Sequence, residues 1–220
     1  MDDAPISSDQ LSVSNDDLGP LHRRDAMTRL EAEHLDVLVI GGGVTGVGCA
    51  LDAASRGLTV AVVEQRDLAS GTSSRSSKLI HGGLRYLQRF EFGLVREALS
   101  ERNLLITRIA PHLVNRLDFL YPLRNLGERL YAGIGIALYD LMAVRGGNSL
   151  PRHRHLSRKQ VQNKAPGLAH DAHHGASVYS DAYVDGARYG ISVARTAAPV
   201  GASVLTSCNG RGRASYREIV

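Results

Sequence analysis

"LDVLVIGGGVTGVGCALDAASRGLTVAVVE", Leu35 to Glu64, decides the fold. Its opening "LDVLVI" (Leu35–Ile40) is a short β-branched run ending in glycines, the pattern of a buried strand. "GVGCALDAASRG" predicts a helix from about Gly46 to Arg56, stopped at Gly57. "LTVAVVE" (Leu58–Glu64) predicts a second buried strand. Strand, turn, helix and strand fit into about 30 residues, the size of a parallel crossover. The expected class is α/β, built on a β–turn–α–β unit.

Gly41, Gly43 and Gly46 stand in G-x-G-x-x-G spacing, and each glycine has its own reason. Gly41 makes the tight turn from strand to helix. Gly43, without a Cβ, lets a pyrophosphate approach the backbone. Gly46 lets helix and strand pack closely. Unpaired amides and the dipole at the helix start favour the phosphates. Glu64 closes the second strand, 18 residues past Gly46, where a carboxylate accepts hydrogen bonds from an adenosine ribose. A carboxylate there favours a free 2′-hydroxyl over the 2′-phosphate of NADP. The bland alternative is a glycine-rich turn beside a solvent-facing glutamate. The unit points to an adenine dinucleotide and leaves FAD and NAD both open.

A free-standing NAD domain continues after Glu64 with another regular β–α unit. This chain enters "QRDLASGTSSRSSKLIHGGLRYL" instead (Gln65–Leu87). Thr72, Ser73 and Ser74 offer hydroxyls and amides to phosphate oxygens or ring edges. Ser76, Ser77 and Lys78 extend the polar run. Gly82 and Gly83 permit a backbone path against a flat ring. Arg85 carries a fork suited to phosphate or carboxylate, and Tyr86 can bond the same group. A second anion site directly after a dinucleotide unit implies an anionic substrate held against a reactive ring. A serine-rich surface loop with a helix cap is the alternative.

These segments, with "VDGARYGISVARTAA" (Val184–Ala198), resemble the FAD-dependent glycerol-3-phosphate dehydrogenases of the aerobic, membrane-associated kind. The resemblance runs from Leu35 to about Thr206, and "GTSSRSSKLIHGGLRYL" is its most specific part. It implies an FAD-binding Rossmann-like domain of the D-amino-acid-oxidase type, with the start of a substrate-side sheet. It implies oxidation of sn-glycerol 3-phosphate to dihydroxyacetone phosphate, with hydride passing to FAD and electrons to a quinone. Matched by motif position, Gly41, Gly42, Gly43, Gly46 and Glu64 hold the ADP half of FAD. Thr72, Ser73, Ser74, Lys78, His81, Gly82 and Gly83 line the pyrophosphate-to-flavin side. Arg85 and Tyr86 face the substrate phosphate. Catalytic residues are expected in a C-terminal half that this sequence does not contain. An NAD-dependent or other FAD oxidoreductase of the same class, and a nucleotide-binding remnant without turnover, are the alternatives.

The resemblance departs in two places. Where "VDDAR" is expected the chain has "VDGAR". Loss of an acid at Gly186, near a helix start, is expected to cost about 0.3–1 kcal/mol of stability and leave the chemistry alone. Gly190 in mid-helix adds about 1 kcal/mol relative to Ala. Second, family members are much longer, and "SCNGRGRASYREIV" reads unlike their continuation. The expected organisation is a partly disordered leader with a short helix (1–34), the N-terminal part of an oxidoreductase domain (35–208), and an atypical tail (209–220) on a truncated product.

The rest of the chain bounds the reading. With 220 residues and 43% apolar content, a core can form. The net charge of +4 suits an anionic ligand or lipid surface and does not call for nucleic acid. Two cysteines, Cys49 and Cys208, and no signal peptide fit a reduced, cytoplasmic setting; the resemblance implies peripheral contact at the cytoplasmic membrane face. Cys49 is expected to be buried on the first helix of the crossover. "LYAGIGIALYDLMAV" (Leu130–Val144) is too short to span a bilayer and reads as a core or surface-lying helix. A helix over about Gly93–Ala110 is expected to bury Leu94, Ala98, Leu105 and Ile109. Strands are expected at Arg116–Leu123, Gly175–Ser180 and Ala202–Thr206, and helices over Leu126–Met142, after Ser157, and from an Asp185 cap to about Ala198. "PRHRHLSRK" (Pro151–Lys159) reads as a solvated basic loop, with anionic lipid as its alternative partner. "HDAHH" (His170–His174) lacks a ligand frame, so no metal is expected.

Overall fold

A computed structural model describes residues 18–82, 86, 89–145, 150–168 and 170–208. In chain order the elements are α1 (Pro20–Ala32), β1 (Val37–Ile40), α2 (Val44–Ser55), β2 (Val60–Val63), α3 (Thr72–Arg75), β3 (Leu79–Ile80), α4 (Phe92–Leu104), β4 (Asn115–Pro122), α5 (Leu126–Arg145), β5 (Arg154–Leu156), α6 (Arg158–Lys164), β6 (Ala176–Tyr183), α7 (Gly186–Val200) and β7 (Ser203–Leu205). They form two compact units, Met1–Lys78 with Asp185–Val220, and Leu79–Val184. The expected leader and the expected tail lie largely outside the described residues, at 1–17 and 209–220.

The first unit is built on a parallel sheet of order β1-β2-β7. Val37 pairs with Val60 and Ile40 with Val63, while Ala61 pairs with Ser203 and Val63 with Leu205. The β-branched strands bury one face against α2 and α7, which contribute Val47, Ala50, Ala194 and Ala197 to a core with Val60, Val62 and Val204. Gly57 and Gly201 end the two helices at φ +78° and +116°, as left-handed stops. Asp185 caps α7 by accepting from the Ala187 and Arg188 amides, both at 3.1 Å.

α1 has almost no apolar face of its own, and side chains tie it to the β7 region. The Val204 amide donates to His22 Nε2 at 3.2 Å. Arg23 donates to the Thr206 carbonyl, and Arg29 to the Gly201 carbonyl at 3.2 Å. On the opposite edge, Ile40 of β1 is 75% exposed.

The second unit is antiparallel. β6 is central, with β4 along one side from Asn115↔Tyr183 to Pro122↔Ala176. β3 and β5 share its other side at opposite ends, through Ile80↔Ala182 and Leu156↔Ala176. Val95, Leu99 and Tyr139 join α4 to α5, with Met142 beside them.

Four expectations need correction. α4 buries Val95, Leu99 and Arg102, while Leu94 and Ile109 are 44% and 59% exposed. The inward stripe is set one residue on because Arg102 reaches an internal carboxylate, and the helix ends in a wider π turn over Leu105–Ile109. Cys49 is exposed, because Val47, Ala50 and Ala54 form the inner face of α2 and Cys49 points off it. Within the basic stretch, Arg154–Leu156 is an edge strand whose Leu156 is buried, so only part of it is solvated loop. At Gly186 a Cβ would stand 2.1 Å from the Ser73 carbonyl oxygen, so an acid gains nothing there; glycine is what lets α7 begin against α3.

Candidate functional site

The glycine turn follows from its sequence residue by residue. Gly41 adopts φ +112°, a conformation that side chains disfavour, and its amide donates to the Val63 carbonyl at 2.9 Å. A Cβ on Gly46 would lie 2.1 Å from the Gly41 carbonyl oxygen and 3.1 Å from Val39, so the helix meets the strand here by lacking one. Gly42 is buried against Leu68 and Glu64. Near Gly43 the neighbour is Ser73 Oγ, 3.3 Å from where a Cβ would stand.

The first amides of a helix have no intrahelical acceptor. In α2 the Val44 N–H donates to Ser73 Oγ at 2.9 Å, so α3 supplies the cap that Gly43 cannot. Thr72 is exposed beside it, and Ser74 donates to the Gly71 carbonyl at 3.1 Å. Lys78, at φ +60°, places its Nζ 2.8 Å from Asp185, which faces Arg188 and Ala187 at the start of α7. The ammonium is thereby paired with a helix cap.

Glu64 is held by the turn it was expected to serve. One carboxylate oxygen accepts from the Gly42 amide and the other from the Arg66 amide, each at 2.8 Å. The Gly42 bond, then the Arg66 bond, hold its carboxyl below the usual carboxylate range. Each oxygen keeps a second lone pair for a ligand hydroxyl. A turn without side chains at 41–43, a helix start against it and an ionised acceptor beside it fit the ADP half of a dinucleotide.

In the second unit His81 is exposed and Gly82 is buried. On its Cβ side Gly82 is packed by protein: a Cβ would meet Leu99 at 2.4 Å and the Tyr139 hydroxyl at 2.5 Å. Tyr86 is exposed, while Gly83 and Arg85 lie outside the described residues. Sequence reasoning missed the buried group behind Gly82. Arg102 and Asp181, 2% and 3% exposed, form an ion pair, and the Tyr139 hydroxyl joins both. Its signal is Asp181 in "ASVYSDAYV", one residue past the strand end expected at Ser180.

Residues 36–217 match the family described as FAD dependent oxidoreductase. The chain belongs to that family. It is 56% identical over 191 residues to glycerol-3-phosphate dehydrogenase 2 of Mycobacterium tuberculosis (strain ATCC 25618 / H37Rv), covering 86% of this chain and 32% of that protein. It is 43% identical over 208 residues to the mitochondrial glycerol-3-phosphate dehydrogenase of Mesocricetus auratus, covering 91% and 27%. The chain thus spans about a third of the length of these relatives. Among solved structures, the glycerol-3-phosphate dehydrogenase of Bacillus halodurans complexed with FAD aligns with a TM-score of 0.57 at 30% identity, over 84% of this chain and 29% of that one. The L-α-glycerophosphate oxidase of Mycoplasma pneumoniae with FAD bound aligns at 0.59 and 20% identity, over 80% and 45%, which speaks for the fold alone.

Proposed function

We propose that this flavoprotein chain forms the ADP-binding wall, and part of the substrate wall, of an enzyme that oxidises sn-glycerol 3-phosphate to dihydroxyacetone phosphate. The glycine turn with Glu64 bonded to the Gly42 amide carries the reading. FAD, when bound, supplies the acceptor for the hydride and hands electrons on to a quinone. Gly41, Gly42, Gly43 and Gly46 let the pyrophosphate reach the start of α2. Glu64 takes the ribose hydroxyls. Thr72, Ser73 and Ser74, next along the chain, serve the phosphate side, and Ser73 also holds the Val44 amide in place. Lys78, His81, Gly82 and Gly83 continue towards the flavin. Arg85 and Tyr86 take the substrate phosphate through a guanidinium fork and a phenol.

The protein is also proposed to lie on the cytoplasmic face of a membrane. No helix among the described residues is long and apolar enough to cross one. α5 instead carries Leu126, Leu130, Ile134, Leu138 and Leu141, all exposed, at helical spacing. Arg129 lies on the same helix, and the exposed Arg154 on β5 adds a second cation. An apolar stripe beside cations suits the headgroup boundary of an anionic leaflet.

The visible spectrum tests the enzymatic reading. The purified protein is expected to show oxidised-flavin bands that bleach when sn-glycerol 3-phosphate is added without oxygen. Bands that persist with substrate would leave a flavin-binding chain without this activity, and a colourless protein would remove the flavin assignment.

A further inference from the structure

β7 ends the sheet order β1-β2-β7 of the described residues, and its outward backbone groups meet side chains of α1. In a parallel ladder alternate residues turn both backbone groups to the same neighbour. The Leu205 carbonyl accepts from the Glu64 amide at 2.8 Å, so Leu205 faces β2, while Val204 and Thr206 face away from it. Those two are the groups that α1 takes up. The Val204 N–H donates to His22 Nε2 at 3.2 Å, and Arg23 Nη1 donates to the Thr206 carbonyl. An edge strand otherwise leaves such groups open to water or to another chain.

The chain leaving β7 then runs over the exit of β2. Past Thr206, the Ser207 amide donates to the Arg66 carbonyl at 2.9 Å and the Cys208 amide to the Glu64 carbonyl at 3.0 Å. Ser207 makes this turn at φ +54°, a left-handed conformation that a residue with a side chain disfavours. Glu64 is thus bonded to β7 twice, by its amide to Leu205 and by its carbonyl to Cys208, and Thr206 stands between those two in the hold of Arg23. The Glu64 carboxylate accepts in turn from the Gly42 and Arg66 amides, each at 2.8 Å. Every link from Arg23 to that carboxylate is a hydrogen bond or the chain itself. Arg23 is exposed, so the tie does not serve a core.

Resting on the reading that Glu64 takes the ribose hydroxyls, we propose that Arg23, with His22 beside it, is a positioning residue for that carboxylate. It holds the Thr206 carbonyl, keeps the Ser207 turn closed over β2, and so fixes the backbone from which Glu64 reaches the glycine turn. An O–H···O bond spans only about 2.5–3.0 Å, so a ligand hydroxyl feels a small shift of its acceptor.

Arg23→Met keeps the stem of the side chain and removes its donors. The probes are ADP and 2′-deoxy-ADP, which differ only in a hydroxyl that Glu64 accepts, titrated calorimetrically into the apoprotein. The wild type should prefer ADP by about tenfold or more, as expected for a hydrogen bond to a charged acceptor. Arg23→Met should narrow that preference to about threefold or less, and should quicken amide hydrogen exchange at Cys208 by about tenfold. General loss of stability weakens both ligands alike and leaves their ratio untouched. An unchanged preference in Arg23→Met, whatever its melting temperature, would therefore overturn the proposal, and so would unchanged exchange at Cys208. A variant that does not fold would make the tie structural and overturn it as well. A wild type that binds the two nucleotides equally fails differently, by removing the ribose reading of Glu64 beneath the proposal.

Discussion

Gly186 and Gly190 sit one turn apart on α7 and answer to different neighbours. A Cβ at Gly186 would collide with backbone, the Ser73 carbonyl oxygen at 2.1 Å, which cannot swing aside. A Cβ at Gly190 would meet the methyl of Ala69 at 3.3 Å, a soft neighbour. Gly186→Ala is therefore expected to destabilise by roughly 1–3 kcal/mol, as overpacking does. Gly190→Ala should stay near neutral, since a helix-propensity gain of up to about 1 kcal/mol opposes the crowding. Thermal unfolding of the two variants side by side checks this; a neutral or stabilising Gly186→Ala would mean α7 does not begin against Ser73. The sequence showed that Gly186 departs from the expected acid, but helix-dipole reasoning mistook the cause. The distance between two backbone segments far apart in the chain is not written in either segment. Gly41 and Gly46 were legible because their constraint is local: a turn and the helix that follows it.

Elements with a strong local pattern were legible for the same reason. β1, α2 and β2 follow from a β-branched run, a glycine turn and a second run, and α6 from its Ser157–Gln160 capping box, which forms in both directions. α4 was legible as a helix and misread as a face. Its inward residues include Arg102, and a hydrophobicity pattern has no place for an arginine paired inside a core. β5 was missed because its three residues gain strand character only by pairing with β6. On α5 the apolar pattern was visible, while the side it faces was not. Leu130→Asp together with Ile134→Asp should reduce co-sedimentation with vesicles containing anionic phospholipid by at least tenfold, on the order of 2–3 kcal/mol lost per buried leucine-sized side chain. Added salt should weaken the wild type's binding in part, through Arg129 and Arg154. Unchanged binding of the double variant would remove α5 from the membrane contact.

For the whole molecule, the glycine turn of the first unit follows β1 in a sheet that has three strands among the described residues, with Ile40 largely exposed at its β1 edge. The chain covers about a third of the relatives it resembles. The glycine turn and the carboxylate bonded to it were nonetheless legible, since Gly41, Gly46 and Glu64 all lie within Leu35–Glu64. The packing around Gly82 was not, because Leu99 and Tyr139 reach it from elsewhere in the chain, with Arg102 and Asp181 behind Tyr139. On the proposed function, Gly41–Gly46 and Glu64 form a site for the ADP half of FAD. Calorimetric titration of the apoprotein with FAD, beside a Glu64→Gln variant, tests it most directly. The wild type should bind FAD with an affinity that stays level as pH falls from about 8 to 5, because a carboxyl held below its ordinary value near 4.3 remains ionised throughout. Its contribution is present above that value and is lost only as pH falls through the lowered one. Glu64→Gln should bind about 10- to 100-fold more weakly, as expected for hydrogen bonds to a charged acceptor worth about 1.5–3 kcal/mol. Equal affinity in the two proteins, or no binding by the wild type, would contradict the account.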